Sequence, residues 1–354
     1  MSTIYDYSVV LDNRTKVISP RTSPSVPEEY ALYTNKVDHN QLTYTTTGIT
    51  GVGMAQVISD GQIPSSDAPV QGYTKSFNQI IFTARVRLSQ QAAYFLFNSK
   101  DGAKIDADVQ SKVLNLKNAI VHSKNYFMQS LLAQGFSTGF SFSPINPLVQ
   151  ATSTVVDTTT ADGVAYWSAA HTREDGGSNW SNLVVSSGVT NPLFSFAALM
   201  ASRTNHAAKK DGRGMPLIGS QLDTFVFQYN STAYYLATSI NGTLKNGKYP
   251  SATPGTTGTF VDANPTASFE VIGLQNYGST APQTAITSIM WFGFDSKQIN
   301  KYTGFQYIET MPITMSSWYT DYAGNMDQVL TATNYCIFGA NDLRYWMASS
   351  GLLS

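Results

Sequence analysis

Apolar residues recur at helical spacing through the first third of the chain: Ile105, Val109, Val113, Leu116, Ile120, Phe127 and Leu131, ending at Gly135. This three-and-four alternation predicts one long helix over 105–134. Asp101, Asp106 and Asp108 stand near its start, where the helix dipole favours carboxylates, and Gly135 supplies a left-handed stop. Before the helix the period changes. Leu42, Tyr44 and Thr46 alternate with polar neighbours, and Phe82, Ala84, Val86 and Leu88 alternate with Thr83, Arg85 and Arg87. Both stretches read as strands, separated by a turn-rich segment with Asp60-Gly61, Pro64, Asp67, Pro69 and Gly72. They are expected to pair as one long hairpin over 42–88 with an irregular tip. A lone hairpin is marginal in water, so it needs a surface to rest on.

The first 40 residues are polar and broken by Pro20, Pro24 and Pro27, and predict an irregular, extended arm. Residues 137–162, rich in Ser, Thr and Pro, predict strands and loops. Asn191-Pro192 marks the start of a second helix that runs to Lys210. Thr224–Tyr229 reads as a strand apolar on both sides, and 231–240 as a short helix stopped by Asn241-Gly242. A Gly/Thr/Pro-rich loop with Lys245 and Lys248 follows at 242–268. Phe269–Leu274, Thr287–Phe294 and much of Tyr302–Phe338 complete a strand-rich second half. No internal repeat is present.

Composition narrows the reading. The chain has 354 residues, enough for a large core and one or two domains. Its net charge of -1 predicts no attraction to nucleic acid or to acidic membranes. Charged residues are 13% of the chain, against about 25% in ordinary globular proteins. Aromatics are 12%. Few charges and many aromatics fit extensive protein–protein contact, because interface cores are depleted in Lys, Glu and Asp and enriched in aromatic side chains. Cys336 is the one cysteine, so no intrachain disulfide is expected. No signal peptide is expected from Met1–Ser8, and no apolar run approaches the ~20 residues of a membrane span.

The chemical motifs are weak. Gly135-Phe136-Ser137-Thr138-Gly139 has the Gly-x-Ser-x-Gly form of a nucleophile turn, with His171 and His206 downstream. That motif requires a strand leading into a helix, whereas here a helix leads into a strand. His171, Glu174 and Asp175 are possible metal ligands, but no second histidine lies at ligand spacing, so a solvated loop is the expectation. The four histidines show no paired spacing. Phosphate-binding, dinucleotide-binding and Cys-x-x-Cys motifs do not occur. Lys209-Lys210 with Arg213 completes the basic end of the second helix. Four Asn-x-Ser/Thr triplets, at Asn13, Asn179, Asn230 and Asn241, are expected to be chance matches without a secretory signal. No catalytic, cofactor-binding or metal-ligating residue is therefore assigned.

One segment carries a resemblance. Asp162-Gly-Val-Ala-Tyr-Trp-Ser-Ala-Ala-His171, then Gly176-Gly-Ser-Asn179 and Asn182-Leu183, resembles the signature of the Mu-like phage major head subunit family. Phe196–Met200, Asp211-Gly212, Met215-Pro216-Leu217 and residues 222–240 resemble the elements that follow in that family. Val329–Gly339 and Arg344–Gly351 resemble its closing strand and tail. The resemblance covers residues 75–354 and is sharpest over 162–217. It implies an α+β chain with the Hong Kong 97-type capsid fold, an N-terminal arm (1–41) and an extended β-hairpin loop (42–90). It also implies a peripheral domain (91–162 with 300–354) bearing a spine helix, and an axial domain (163–299).

The implied function is a major capsid protein that self-assembles into pentamers and hexamers of an icosahedral head around a double-stranded DNA phage genome. The implied location is the virion, with assembly in the host cytoplasm and no membrane partner. Relatives often carry a charged helical scaffolding segment at the N-terminus; residues 1–40 do not resemble one, so separate scaffolding and portal proteins are expected. With a net charge of -1, contact with packaged DNA would be weak. The subunit-interface candidates are Asp60, Gly61, Pro64, Asp67, Pro69 and Lys75 in the hairpin, and Lys245 and Lys248 in the later loop. The alternatives are an encapsulin-type nanocompartment shell and a serine hydrolase using Ser137.

Overall fold

Asp101 begins the longest element. In the structure, a computed structural model, its carboxylate accepts the N–H groups of Ala103 and Lys104 at 3.1 and 3.3 Å, which caps a helix over Gly102–Gln134. The residues described are 7–39, 41–49, 63, 71–98, 101–143, 154–217, 219–245, 268–277, 286–300, 302–321 and 326–351.

In chain order the elements are α1 (Tyr7–Ile18), β1 (Thr34–Lys36), β2 (Thr43–Ile49), β3 (Gln71–Asn78), β4 (Ile80–Leu88), α2 (Gln90–Asn98) and α3 (Gly102–Gln134). Then come β5 (Gly139–Phe142), β6 (Thr154–Asp157), β7 (Val185–Ser186), β8 (Val189–Thr190), α4 (Phe196–Ala207), β9 (Thr224–Gln228) and α5 (Thr232–Lys245). The chain closes with β10 (Glu270–Leu274), β11 (Trp291–Phe294), β12 (Phe305–Met315), β13 (Tyr319–Asp321), β14 (Asp327–Ala340) and β15 (Trp346–Ser349).

At 1.5 Å per residue α3 spans about 50 Å. Its first half buries one stripe, Ile105, Val109, Val113, Leu116 and Ile120; from Lys124 to Ala133 every residue is buried. The sheet under it has the order β1-β12-β14-β13, with β4 also paired to β14. Leu330, Ala332, Cys336, Phe338 and Ala340 of β14 join α3 in one core, and Phe127 sets its ring 5.9 Å from Phe82 and 5.6 Å from Phe338. A second sheet, β10-β9-β11-β15, is flanked by α4 and α5 and builds a second core around Phe194, Phe225, Phe227, Ile240 and Trp291. Four of the five residues of β9 are buried, as expected of a strand apolar on both sides.

Five expectations are corrected. Residues 7–18 form a helix instead of irregular chain, because tertiary contacts supply what its apolar spacing does not: six of the twelve residues are apolar, yet only Leu11 of these is buried. Leu11 and Thr15 are buried, Tyr7 stacks on Phe97 at 4.6 Å, and the Trp318 indole donates to Thr15 Oγ1 at 2.8 Å. The partner of β2 is β3, not β4. The stretch 71–88 is one polar-then-apolar path broken at Gln79: its first half pairs with β2, and its second half joins the main sheet beside β14.

The second helix starts at Phe196 with Ser195 as its cap. Asn191 instead takes a positive φ of 57°, and the Pro192 carbonyl accepts the Trp291 indole at 3.0 Å and Ser349 Oγ at 2.7 Å. Helix α5 runs through Asn241-Gly242 to Lys245, and the Asn241 side chain accepts the backbone N–H of Phe269 at 2.9 Å. Gly135 ends α3 with φ -63° and ψ -5°, so it is not left-handed. Its need is steric: a Cβ there would lie 2.8 Å from Trp167 Nε1.

Candidate functional site

Residues 162–183, which carry the sequence signature, send Tyr166 and Trp167 into the first core. Trp167 anchors the segment there: its indole donates to the Leu132 carbonyl at 2.6 Å, and its ring lies 5.3 Å from Phe292, 5.9 Å from Phe305 and 6.0 Å from Trp346. The loop expected to be solvated is so only over 175–179; residues 171–174 are buried or half-buried. His171 is fully buried, 3.0 Å from Asp162 through Nδ1, 3.3 Å from the Tyr166 carbonyl through Nε2, and stacked on Trp180 at 4.3 Å. Burial raises the Asp162 carboxyl, but bonds from His171, Thr160 and Val164 and the charge of His171 outweigh it and hold the group below the usual range.

Glu174 accepts the Arg344 guanidinium at 3.1 and 3.2 Å, and Arg344 also reaches Asp342. Asp175 alone of the three is exposed, capping the Gly177 N–H at 2.9 Å and pairing with Arg173. The segment is thus tied to the chain's C-terminal strands by buried charge.

The β2–β3 ribbon stands on this segment. Tyr73 Oη lies 3.0 Å from Thr172 Oγ1 and donates to the Arg173 carbonyl at 3.3 Å. Lys75 pairs with Asp157 and donates to Thr159 Oγ1 at 2.6 Å. Phe77 fills the space above Gly339, where a Cβ would come within 2.3 Å of its ring. A cleft of about 300 Å³ remains between the ribbon (Gly48, Tyr73) and Asp162, Glu174, Asp211 and Arg344.

Of the interface candidates, Lys75 thus makes an intrachain contact. Lys245 sits exposed at the end of α5, beside a shallow depression with Asp223 and Glu270. Asp60, Gly61, Pro64, Asp67, Pro69 and Lys248 lie outside the described residues.

Ser137 Oγ donates to the carbonyls of Gln134 and Gly139 at 2.9 and 3.2 Å. With both nitrogens of His171 engaged elsewhere, the structure does not assemble a serine–histidine pair. Among the described residues, no group of three or more His, Cys, Asp or Glu is placed to hold a metal ion, and no helix is long and apolar enough to cross a membrane.

Sequence reasoning missed Tyr73, Trp180, Arg344 and Lys124. Lys124, on α3, is fully buried, donates to Tyr307 Oη at 3.1 Å and lies 3.6 Å from Glu309 and 3.9 Å from Glu28. The Tyr30 and Tyr307 rings cover it at 5.0 and 5.2 Å. The one available signal was its place on the buried stripe, one turn past Ile120.

No protein-family model and no curated protein matches the sequence. Among solved structures the chain is similar to the capsid of the native GTA particle, at 11% identity over 92% of each chain with a TM-score of 0.47. It is similar to Mycobacterium phage Bobi at 10% identity, over 93% of this chain and 91% of that one, with a TM-score of 0.44. The capsid of Myoviridae phage XM1 is similar at 12% identity over 89% of each chain, with a TM-score of 0.39.

Proposed function

We propose that this chain is a major capsid protein of the tailed-phage type, self-assembling into pentamers and hexamers of an icosahedral head that encloses double-stranded DNA. The observation that carries the reading is the β2–β3 ribbon. It is a sheet of two strands only, and among the described residues neither outer edge has a strand partner. Its base is fastened by Tyr73, Lys75 and Phe77. Unpaired strand edges are templates for another chain, and an isolated ribbon is marginal in water, so a neighbouring subunit is the natural cover. The low charge of the chain and its exposed apolar side chains support the same reading. Val9 and Val17 of α1, Tyr94 and Phe95 of α2 and Val155 of β6 are all more than half exposed.

Residues 1–41 act as the arm, 42–90 as the extended loop, 91–162 with 300–354 as the peripheral domain around α3, and 163–299 as the axial domain. Lys245 and the six candidates outside the described residues lie at subunit contacts, while Lys75 serves them indirectly by fastening the ribbon to its own chain. The role is structural, not enzymatic; scaffolding and portal proteins are separate partners, and the packaged DNA is held weakly. The protein resides in the virion after assembly in the host cytoplasm.

Negative-stain electron microscopy of the purified chain tests this. Closed shells of uniform size, or five- and sixfold rings, are expected. Monomers at every concentration, with and without a crowding agent and also on co-expression with a scaffolding partner, would overturn it.

A further inference from the structure

From Lys124 to Ala133 every residue of α3 is buried, and Lys124 is the one charged residue of that run. Alternate residues of a strand share a face, and on β14 Ala332, Cys336, Phe338 and Ala340 turn toward α3 in the common core. Asn334, fully buried in the same row, is its polar exception. A lysine and an amide are thus enclosed in an otherwise apolar contact, where each is costly unless paired.

One carboxylate oxygen serves both. Glu309 Oε1 accepts Asn334 Nδ2 at 2.9 Å and lies 3.6 Å from Lys124 Nζ. The pairing of β12 with β14 shifts register between Glu309 and Met311, and irregularities of this kind re-aim a side chain. The Met311 carbonyl takes the other N–H of Asn334 at 2.8 Å. The amide nitrogen is therefore held twice, while its carbonyl oxygen is buried with no donor. The Tyr30 and Tyr307 rings lie over Lys124 Nζ. Asn125, the neighbour of Lys124, is no alternative partner, because the Tyr30 N–H and the Pro27 carbonyl engage both ends of its amide, at 3.4 and 2.9 Å.

We propose that Lys124 and Asn334 join in an intrachain isopeptide bond, with Glu309 carrying the protons. Glu309 takes a proton from the Lys124 ammonium, and the freed amine attacks Asn334 Cγ. Glu309 passes that proton to Nδ2, the Cγ–Nδ2 bond breaks, and the new amide nitrogen sheds its extra proton through Glu309. One C–N bond replaces another, and ammonium leaves with the charge that the lysine brought in. No oxidant or cofactor is consumed. The packing of α3 on β14 holds the reacting groups together, which replaces a chance encounter by a fixed one. The product also removes a buried charge, which is costly to keep. Because the ammonium is the resting form and only the amine attacks, the bond follows folding slowly, and the freshly folded chain still holds the ion pair. All three residues lie in one chain, so the bond does not require a shell.

Intact-mass spectrometry of the full chain, followed from fresh purification through days of incubation, tests this. The mass is expected to fall by one ammonia. Trypsin should then leave residues 118–173 uncut after Lys124 and joined to 302–344. The joined peptide is the deciding readout, because an asparagine that cyclises elsewhere loses the same mass and joins nothing. Glu309→Gln keeps the shape and removes the proton carrier, and is expected to slow the reaction at least about 100-fold. Asn334→Ser removes the acyl carbon and should yield no joined peptide. An unchanged mass throughout, with clean cleavage after Lys124, would overturn the bond. A joined peptide formed by Glu309→Gln at the parent rate would overturn the role of Glu309. Should Glu309→Gln fail to fold, Glu309→Asp takes its place, since the shorter side chain draws the carboxylate back from both partners and the same slowing is expected.

Discussion

Gly135→Ala is the substitution on which the two accounts of the α3 terminus part. A glycine in ordinary right-handed geometry, as here, should welcome alanine. The unfolded chain loses freedom, and the protein gains about 0.4–1 kcal/mol. The structure predicts the opposite sign. The new Cβ would lie 2.8 Å from Trp167 Nε1 and 3.0 Å from both Trp167 Cδ1 and the Leu131 carbonyl oxygen, against an ordinary contact of about 3.5–4.0 Å.

The indole cannot retreat easily. It donates to Leu132 at 2.6 Å, its backbone N–H donates to Gly135 itself at 2.9 Å, and the rings of Phe292, Phe305 and Trp346 pack around it. Overpacking of this kind costs about 1–3 kcal/mol, and a distorted hydrogen bond adds about 1. After the entropy gain, the expected net loss is about 1.5–3 kcal/mol, or on the order of 5 °C in the melting midpoint. Urea unfolding of the unassembled subunit measures it. In a Trp167→Phe background the cost should shrink, giving a coupling of about 1–2 kcal/mol. Gly135→Ala as stable as the parent would refute the steric account.

Lys124→Met keeps the volume but strips the ammonium from Glu309 and Glu28, and should cost about 1–3 kcal/mol in urea unfolding. Adding Glu309→Gln should restore part of that loss, and no recovery would mean the lysine acts by packing alone. Burial, then the charge of Lys209, holds His206 down at about 3. The neutral ring is therefore favoured in the folded state. Its contribution is present above the unfolded value of about 6.5 and declines as pH falls toward 3, by at most about 1.4 kcal/mol per unit. His206→Gln should flatten that part of the stability–pH profile, and parallel profiles would count against the assignment. Ser137→Ala should change stability by less than about 0.5 kcal/mol and leave particle formation intact, because the hydroxyl serves only two nearby carbonyls. Loss of particles in the micrographs would contradict it.

Much of the fold was legible because it is written in local periodicity. The stripe from Ile105 to Leu131 located α3 to within three residues at its start, and the alternation Phe82–Leu88 located β4. Thr224–Gln228, apolar on both sides, read as a central strand and is one. What failed was polar or long-range. The arm of 7–18 has six apolar residues in twelve, but Val9, Val10 and Val17 stay exposed while polar Thr15 is buried, so apolar spacing does not announce the helix, which forms because α3 and Trp318 supply contacts from elsewhere in the chain. The segment 71–78 is polar because the ribbon's faces are largely wet, so its strand went unread and β4 was given the wrong partner.

The candidate site divides the same way. The stretch 162–183 stood out in the sequence as a pattern, but its chemistry did not. Nothing local distinguishes a His171–Glu174 loop in water from one buried against Asp162 and Arg344. Sequence by itself determined where the long helix and apolar strands lie, how few charges the surface carries, and which segment is distinctive. Tertiary structure alone decided that β2 takes β3, and that Lys124 and Arg344 are buried among carboxylates. Backbone propensity and apolar spacing act over a few residues, whereas the partner of a strand or a buried charge sits dozens to hundreds of residues away and is fixed only when the layers pack.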